Sequence, residues 1–289
     1  MLFQLARAYL FTRKLFSTAR SEGMIASELN GASAAGDVFL VPMFSDNYGH
    51  ILVDRNTKKA ALIDPADYEP VVKAVRELGF SVEMALITHK HADHCGGNEG
   101  VKTAFPGIRV VGTGYESIPG ATESAKEGDI LKLGSLQIEV LHTPCHTTGH
   151  VGYYVTAPSA PDAAPILFPG DTLFVGGCGR FFEGTAGDML KNMDRFGRLP
   201  PQTQVFCAHE YTASNLKFLA SVDPDGCGKV LDDVLEKRSR GVPTVPSTIG
   251  KELQYNLFMK TRDAKVQSLV GTGDAEATMA KLREMKNNF

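Results

Sequence analysis

Up to about residue 210 the chain is built of short apolar runs cut by turn-forming residues; beyond it, apolar positions recur at helical spacing. VFLVP (38–42), HILVD (50–54) and AALID (60–64) read as strands, the last two joined by the turn RNTK into a meander. EPVVKAVRELGF carries Val71, Val72, Val75 and Leu78 on one helical face with Gly79 as a stop, and MALI (84–87) returns as a buried strand. Further strands are predicted at IRVVG (108–112), LQIEVLH (136–142), VGYYVT (151–156), PILFPG (165–170) and TQVFCAH (203–209). TASNLKFLASV, LDDVLEKRSR, KELQYNLFM and DAEATMAKLREMKNN then read as helices, with PDGCG, GVPTVPSTIG and VGTGD as breaks. The pattern predicts a sheet-rich domain over 37–210 and a smaller helical domain over 211–289.

The N-terminus stands apart. Residues 1–23 contain Arg7, Arg13, Lys14 and Arg20, several hydroxyl residues and large apolar residues spaced for one helical face, with the single acid Glu22 near the end. That composition reads as a mitochondrial transit peptide leading to the matrix, and the interrupted apolar stretch argues against a secretory signal. Met24 could start a cytoplasmic form. Residues 24–36, small and polar, read as a linker.

Composition narrows the partners. The 289 residues carry 30 basic and 33 acidic side chains, a net charge of −3, which offers no field for capturing nucleic acid. No apolar run reaches membrane-spanning length, so no membrane association is expected. The five cysteines form no C-x-x-C pair and read as reduced thiols. A monomer acting on a small molecule is the expectation.

Candidate chemistry concentrates in THKHADH (88–94), which holds three of the chain's eight histidines. In an extended or looping segment His89 and His91 point the same way, while Asp93 and His94 turn toward a second position. Nitrogen donors with a carboxylate suit zinc or iron better than calcium or magnesium. Two ions need more ligands, and His146 in TPCHTTGH, Asp171 in FPGDTLF and His209 in FCAHEY follow later apolar runs as rim residues would. His142 and His150 compete with His146, which is favoured because Pro144 stiffens its approach and TTG permits a tight loop. His150 is read as core or as a support behind the ligands, and His50 as a strand residue without ligand-like neighbours.

THKHADH resembles the T-H-x-H-x-D-H signature of the metallo-β-lactamase fold. FSDNYGHILVD, DHCGGN, TPCHTTGHVGYY, FPGDTLFVGGCGRFFEGT, AHEYTASNLKF and MAKLREMKNNF resemble segments of one family within it, glyoxalase II, the hydroxyacylglutathione hydrolases, from about Val38 to Phe289. The resemblance implies an α+β fold, a four-layer αβ/βα metallo-β-lactamase sandwich with a smaller all-helical C-terminal domain. It implies two divalent metal ions, zinc first, with iron or manganese as alternatives. His89, His91 and His146 would hold one ion and Asp93, His94 and His209 the other, with Asp171 bridging. Water on such metals has its pKa lowered from about 15.7 toward about 7, giving a bridging hydroxide that attacks a carbonyl. The implied reaction splits the thioester S-D-lactoylglutathione into D-lactate and glutathione, with Asp93 as an added proton acceptor.

For the substrate, the resemblance implies Arg283 and Lys286, three residues apart on the last helix, as partners of the glutathione carboxylates, with Tyr211, Arg180 and Phe182 as further contacts. Arg180 stands where lysine is common and Phe182 where animal enzymes carry tyrosine, which bears on affinity. The alternative readings are a glutathione persulfide dioxygenase with a single iron, a tRNA-trimming nuclease disfavoured by the charge balance, and a non-catalytic glutathione-binding module.

Overall fold

The computed structural model describes residues 34–289 and the backbone of Ile25–Ala26. The segment 1–23, expected to be a transit peptide, and most of the expected linker lie outside the described residues.

Two sheets form the centre. In the first, β1 (Ile25–Ala26), β2 (Asp37–Met43), β3 (Asn47–Val53), β4 (Lys59–Ile63), β5 (Ser81–Leu86), β6 (Arg109–Thr113) and β7 (Glu123–Ala125) lie side by side in chain order. Strands β1 to β4 pair antiparallel and β4 to β7 parallel. The expected linker is therefore not free at its ends: Ile25 and Ala26 pair with Leu40 and Phe39, and Ala34 bridges to Ala164. An open edge of β2 gives the passing backbone hydrogen-bond partners.

Strand β3 is buried along its whole length, because both faces of this sheet are covered. Val38, Leu40, Leu52 and Ile63 face the second sheet. Phe39, Val41, Ile51 and Leu62 face α1 (Tyr68–Leu78), which presents Val71, Val72, Ala74, Val75 and Leu78. Gly79 ends α1 as expected, at φ 71° with its N–H on the Val75 carbonyl.

Two short helices follow β5, α2 (Ala92–Cys95) and α3 (Asn98–Ala104). The first refines the reading of THKHADH as an extended or looping segment, since its last residues, from Ala92, enter one helical turn. The second sheet has the order β15-β14-β11-β10-β9-β8, with β8 (Ile130–Leu133), β9 (Leu136–His142), β10 (Val151–Thr156), β11 (Ile166–Phe168), β14 (Gln204–Val205) and β15 (Ser247–Thr248). β12 (Leu173–Phe174) and β13 (Gly177–Cys178) make a separate hairpin, and TQVFCAH contributes only Gln204 and Val205 to the sheet, with His209 bridging to Asn47.

Beyond the second sheet lie α4 (Ala186–Gly197), α5 (Thr212–Val222), α6 (Pro224–Ser239), α7 (Ile249–Tyr255), α8 (Ala264–Val270) and α9 (Ala275–Asn287). PDGCG does not break the chain as expected; it opens α6, with Pro224 in the first turn and the Asp223 carboxylate accepting the Gly226 N–H. Phe168, Phe206, Phe196, Phe218, Phe258 and Leu282 belong to one apolar cluster, so the helical region packs directly on the sandwich. The result is an α+β molecule of helix, sheet, sheet and helix layers with added C-terminal helices. Among the described residues no helix is long and apolar enough to cross a membrane, and all five cysteines are buried and unpaired.

Candidate metal centre and adjoining cleft

Strand direction gathers the ligand-type residues. β11 and β14 run parallel, and β9 shares their direction because β10 pairs antiparallel with both β9 and β11. The segments that leave these three strands, bearing His146, Asp171 and His209, therefore emerge at one edge of the second sheet. The end of β5 is pinned there too, since the Val151 N–H donates to the Thr88 carbonyl at 2.9 Å and the Tyr153 hydroxyl to the Ile87 carbonyl at 2.9 Å.

The histidine rings converge closely. His91 Nδ1 lies 2.9 Å from His89 Nε2 and 3.0 Å from His146 Nε2. Asp171 faces both sides: Oδ2 is 3.4 Å from His146 Nε2, while Oδ1 is 3.4 Å from His94 Nε2 and 3.4 Å from His209 Nε2. Asp93 Oδ2 approaches His209 Nε2 at 3.6 Å and His94 Nε2 at 3.8 Å. His89, His91 and His146 thus form one group able to hold a metal, and Asp93, His94 and His209 a second, with Asp171 between them.

The partners behind the rings decide which nitrogen is free. His94 Nδ1 donates to Asp64 at 2.9 Å, His209 Nδ1 to Asp46 at 2.8 Å and His146 Nδ1 to the Arg180 carbonyl at 3.0 Å. The Thr88 hydroxyl donates to Asp64 at 2.7 Å and so accepts from His89 Nδ1 at 3.0 Å. All four acceptors hold a proton on Nδ1, so that each Nε2, the atom a cation would meet, is aimed into the cluster. Asp171 Oδ1 is buried and accepts no hydrogen bond there. Converging ring nitrogens and an orphaned carboxylate oxygen fit two divalent cations. Nitrogens bound about 2.0–2.1 Å from a tetrahedral ion stand roughly 3.4 Å apart; His94 and His209 Nε2 are 3.4 Å apart, and the nitrogens of the first group stand closer, at 2.9 and 3.0 Å.

Charge coupling within the cluster is strong. Burial would raise the Asp171 carboxyl, but His94 and His209 hold it well below the usual carboxylate range. Burial would lower His94, yet Asp171 and Asp64 hold its ring well above the usual value. Burial, then the His94 charge, pushes His89 well down.

Two glycines let these segments close. A Cβ on Gly179 would lie 1.9 Å from the Asp171 carbonyl oxygen. Gly170, at φ 49°, would meet His150 Nε2 at 2.6 Å. His150 is a buried support: its Nε2 accepts the Asp171 N–H at 3.0 Å, and its Nδ1 meets the Thr143 hydroxyl at 2.8 Å. His142 instead stacks on Tyr115 at 3.8 Å. His50 sits inside β3 against Phe168 and Phe206, where burial lowers its ring to about 3.

A cleft of about 660 Å³ opens from the cluster, and Arg180, Phe182, Tyr211, Arg283 and Lys286 all line it. Phe182, 60% exposed, lies 5.1 Å from the His146 ring and 5.8 Å from that of His91. Tyr211 stacks on His209 at 4.7 Å. Arg283 is nearly buried, with Nη1 donating to the Cys178 carbonyl and Nε to Asn287 Oδ1, each at 2.9 Å. Lys286 donates to the Ser214 carbonyl at 2.9 Å and hydroxyl at 3.0 Å.

Sequence reasoning missed the acceptors behind the rings, above all Asp64, which holds both Thr88 and His94 from a left-handed backbone at φ 47°. A charged residue closing the apolar run AALI, just before Pro65, was the available signal. Asp46 and Asn47, which reach His209 and Asp93, lay in FSDNYGHILVD without an assigned role.

This fold, with paired His/Asp groups at one sheet edge, defines a protein of the metallo-β-lactamase class. The profile described as the metallo-beta-lactamase superfamily matches residues 50–209, and that described as the hydroxyacylglutathione hydrolase C-terminus matches residues 210–289. Among solved structures, ETHE1 from Myxococcus xanthus is similar at TM-score 0.58 and 22% identity, over 86% of this chain and 91% of that one. A metallo-beta-lactamase from Staphylococcus aureus is similar at TM-score 0.57 and 22% identity, over 83% of this chain and 67% of that one. At such identity these likenesses speak for the fold alone.

Curated relatives are nearer. The hydroxyacylglutathione hydrolase named cytoplasmic from Arabidopsis thaliana is 40% identical over 257 residues, 87% of this chain and 98% of that protein. A hydroxyacylglutathione hydrolase from Synechocystis is 39% identical over 258 residues, 88% of this chain and 100% of that protein. The chain belongs to the hydroxyacylglutathione hydrolase family.

Proposed function

We propose that the protein hydrolyses S-D-lactoylglutathione to D-lactate and glutathione at the cluster of His89, His91, Asp93, His94, His146, Asp171 and His209. The observation that carries this reading is the cleft that leads from His91, Asp93, His146, Asp171 and His209 to two cations, Arg283 and Lys286, on one face of α9. His89, His91 and His146 would hold one divalent ion, Asp93, His94 and His209 the other, and Asp171 would serve both. Such ions, zinc foremost with iron and manganese as alternatives, lower the pKa of water toward about 7 and polarise a carbonyl, supplying nucleophile and electrophile together.

The chain's own residues do the rest. Arg283 and Lys286 receive the two carboxylates of glutathione, which sets the thioester carbonyl toward the cluster. Arg180 and Tyr211 add polar contacts along the cleft, and Phe182 gives an apolar wall over His91 and His146. Asp93, the most exposed carboxylate of the cluster, is placed to accept a proton from the attacking water. The departing thiolate is a good leaving group and needs little protonation.

Purified protein assayed for thioester loss, with metal content measured on the same sample, tests the reading. Hydrolysis with close to two metals per chain is expected; one iron per chain with oxygen uptake on glutathione persulfide would replace it with the dioxygenase. We also read residues 1–23 as a mitochondrial presequence. A fluorescent fusion of the full chain that stays cytoplasmic would refute that.

A further inference from the structure

The first group of nitrogens is assembled from two loops on different sheets. His89 and His91 follow β5 of the first sheet, and His146 sits between β9 and β10 of the second. At the base, the Val151–Thr88 hydrogen bond joins them. At the rim the join is made by a residue from neither loop, Glu116, which follows β6.

Glu116 is almost wholly enclosed, with its side chain 5% exposed. Its Oε1 accepts the Lys90 N–H at 2.9 Å and the Thr147 hydroxyl at 3.0 Å. Its Oε2 accepts the Gly149 N–H at 3.1 Å and stands 3.6 Å from Lys90 Nζ. Lys90 lies between His89 and His91, and Thr147 follows His146, so one carboxylate holds the Lys90 backbone and the Thr147 hydroxyl beside all three histidines. Gly149 is shaped for this approach, since a Cβ there would lie 2.4 Å from the Glu116 Cγ.

The same lysine continues the brace. Lys90 Nζ pairs with Glu183 at 2.6 Å, and Glu183 accepts the Thr148 N–H at 2.7 Å and hydroxyl at 3.0 Å. The loop bearing Phe182 is thereby fastened to both ligand loops.

We propose that Glu116 is a positioning residue for the first metal group, locking the loop of His89 and His91 to the loop of His146. It acts by fixing the spacing of three nitrogens before an ion arrives, and it touches neither ion nor substrate. The inference rests on the reading that His89, His91 and His146 hold a metal. Among the described residues no comparable contact binds it to Asp93, His94 and His209, whose supports are Asp64, Asp46 and Asn47. Its removal therefore weakens one ion and spares the other.

The test uses the full chain loaded with zinc, with release of each ion followed by competition with a chromogenic chelator. Glu116→Ala is expected to weaken one of the two ions about 10- to 100-fold, in the range of other supports behind metal ligands. That ion is the one lost in His91→Ala. Glu116→Gln keeps an oxygen for Lys90 N–H and Thr147 but sets an amide against Gly149 N–H, and an intermediate loss is expected. Should Glu116→Ala fail to fold, the Gln variant alone decides.

Wild-type retention of both ions by the variants would overturn the proposal, and so would equal weakening of both, which marks a general lesion. A wild-type chain that binds no ion through His91 would instead remove the underlying reading, and the proposal with it.

Discussion

Asp171 owes its two-sided contact to its backbone as much as to its carboxylate, because the His150 ring holds its N–H and only glycine fits at position 170. Asp171→Ala removes the group shared by both metal sets. Turnover should fall about 100- to 1,000-fold, the range typical of a central electrostatic group, and metal content should drop in parallel; substantial residual hydrolysis would contradict a shared carboxylate.

Lys286 offers a test by pH. Burial, then the nearby Arg283 charge, brings its ammonium down to about 8. The charged form therefore prevails below about pH 8 and is lost above it. KM for a glutathione thioester should rise as pH passes through this value, and Lys286→Arg should flatten the rise. Arg283→Ala should raise KM more than it lowers kcat. An unchanged KM would remove both residues from the substrate site.

At the scale of elements, the cleft depends on how α9 and the β12–β13 hairpin are held. Asp274 caps α9 by accepting the Ala277 N–H at 2.8 Å. Asp274→Ala should cost about 1 kcal/mol in urea denaturation. Glu252, fully buried, accepts from Gly176 N–H at 2.8 Å, Tyr255 OH at 2.6 Å and Asn256 Nδ2 at 3.0 Å, and from Ser247. Asn256 in turn reaches the carbonyls of Phe174 and Gly177. Replacing Glu252 with leucine strands these donors in the core, and a loss on the order of 3 kcal/mol or more is expected from denaturant midpoints.

β9, β10 and α5 were legible and fall where the sequence puts them. The helix α4 was not, although Thr185 and Asp188 form a reciprocal cap at its start. Its apolar face of Met189, Leu190, Met193 and Phe196 has helical spacing, a signal left unread between the strand-like runs on either side. α6 was shortened by the ordinary reading of Pro and Gly as breakers, whereas proline in a first helical turn loses no hydrogen bond.

For the whole molecule, ions bound by the folded chain alone would add to stability, by about 4 kcal/mol when free metal exceeds Kd a thousandfold. Chelation should therefore lower Tm as well as abolish hydrolysis, and readdition of zinc, iron or manganese should restore both. A Tm indifferent to chelator would contradict a tightly held centre.

The sequence by itself determined the cluster of ligand-type residues in THKHADH and the change from a sheet-rich to a helical texture near residue 210, because these follow from local spacing and hydrophobic period. Arg283 shows the limit: its place on a terminal helix suggests solvent, yet it is nearly enclosed beside Cys178 and Phe258. Only the tertiary structure decided that strands from two sheets end at one edge, that Asp64 and Asp46 stand behind histidine rings and Glu116 beside their loops, and that α9 closes the cleft. Those contacts join residues far apart in the chain, and no local pattern encodes which distant acceptor a buried donor will find.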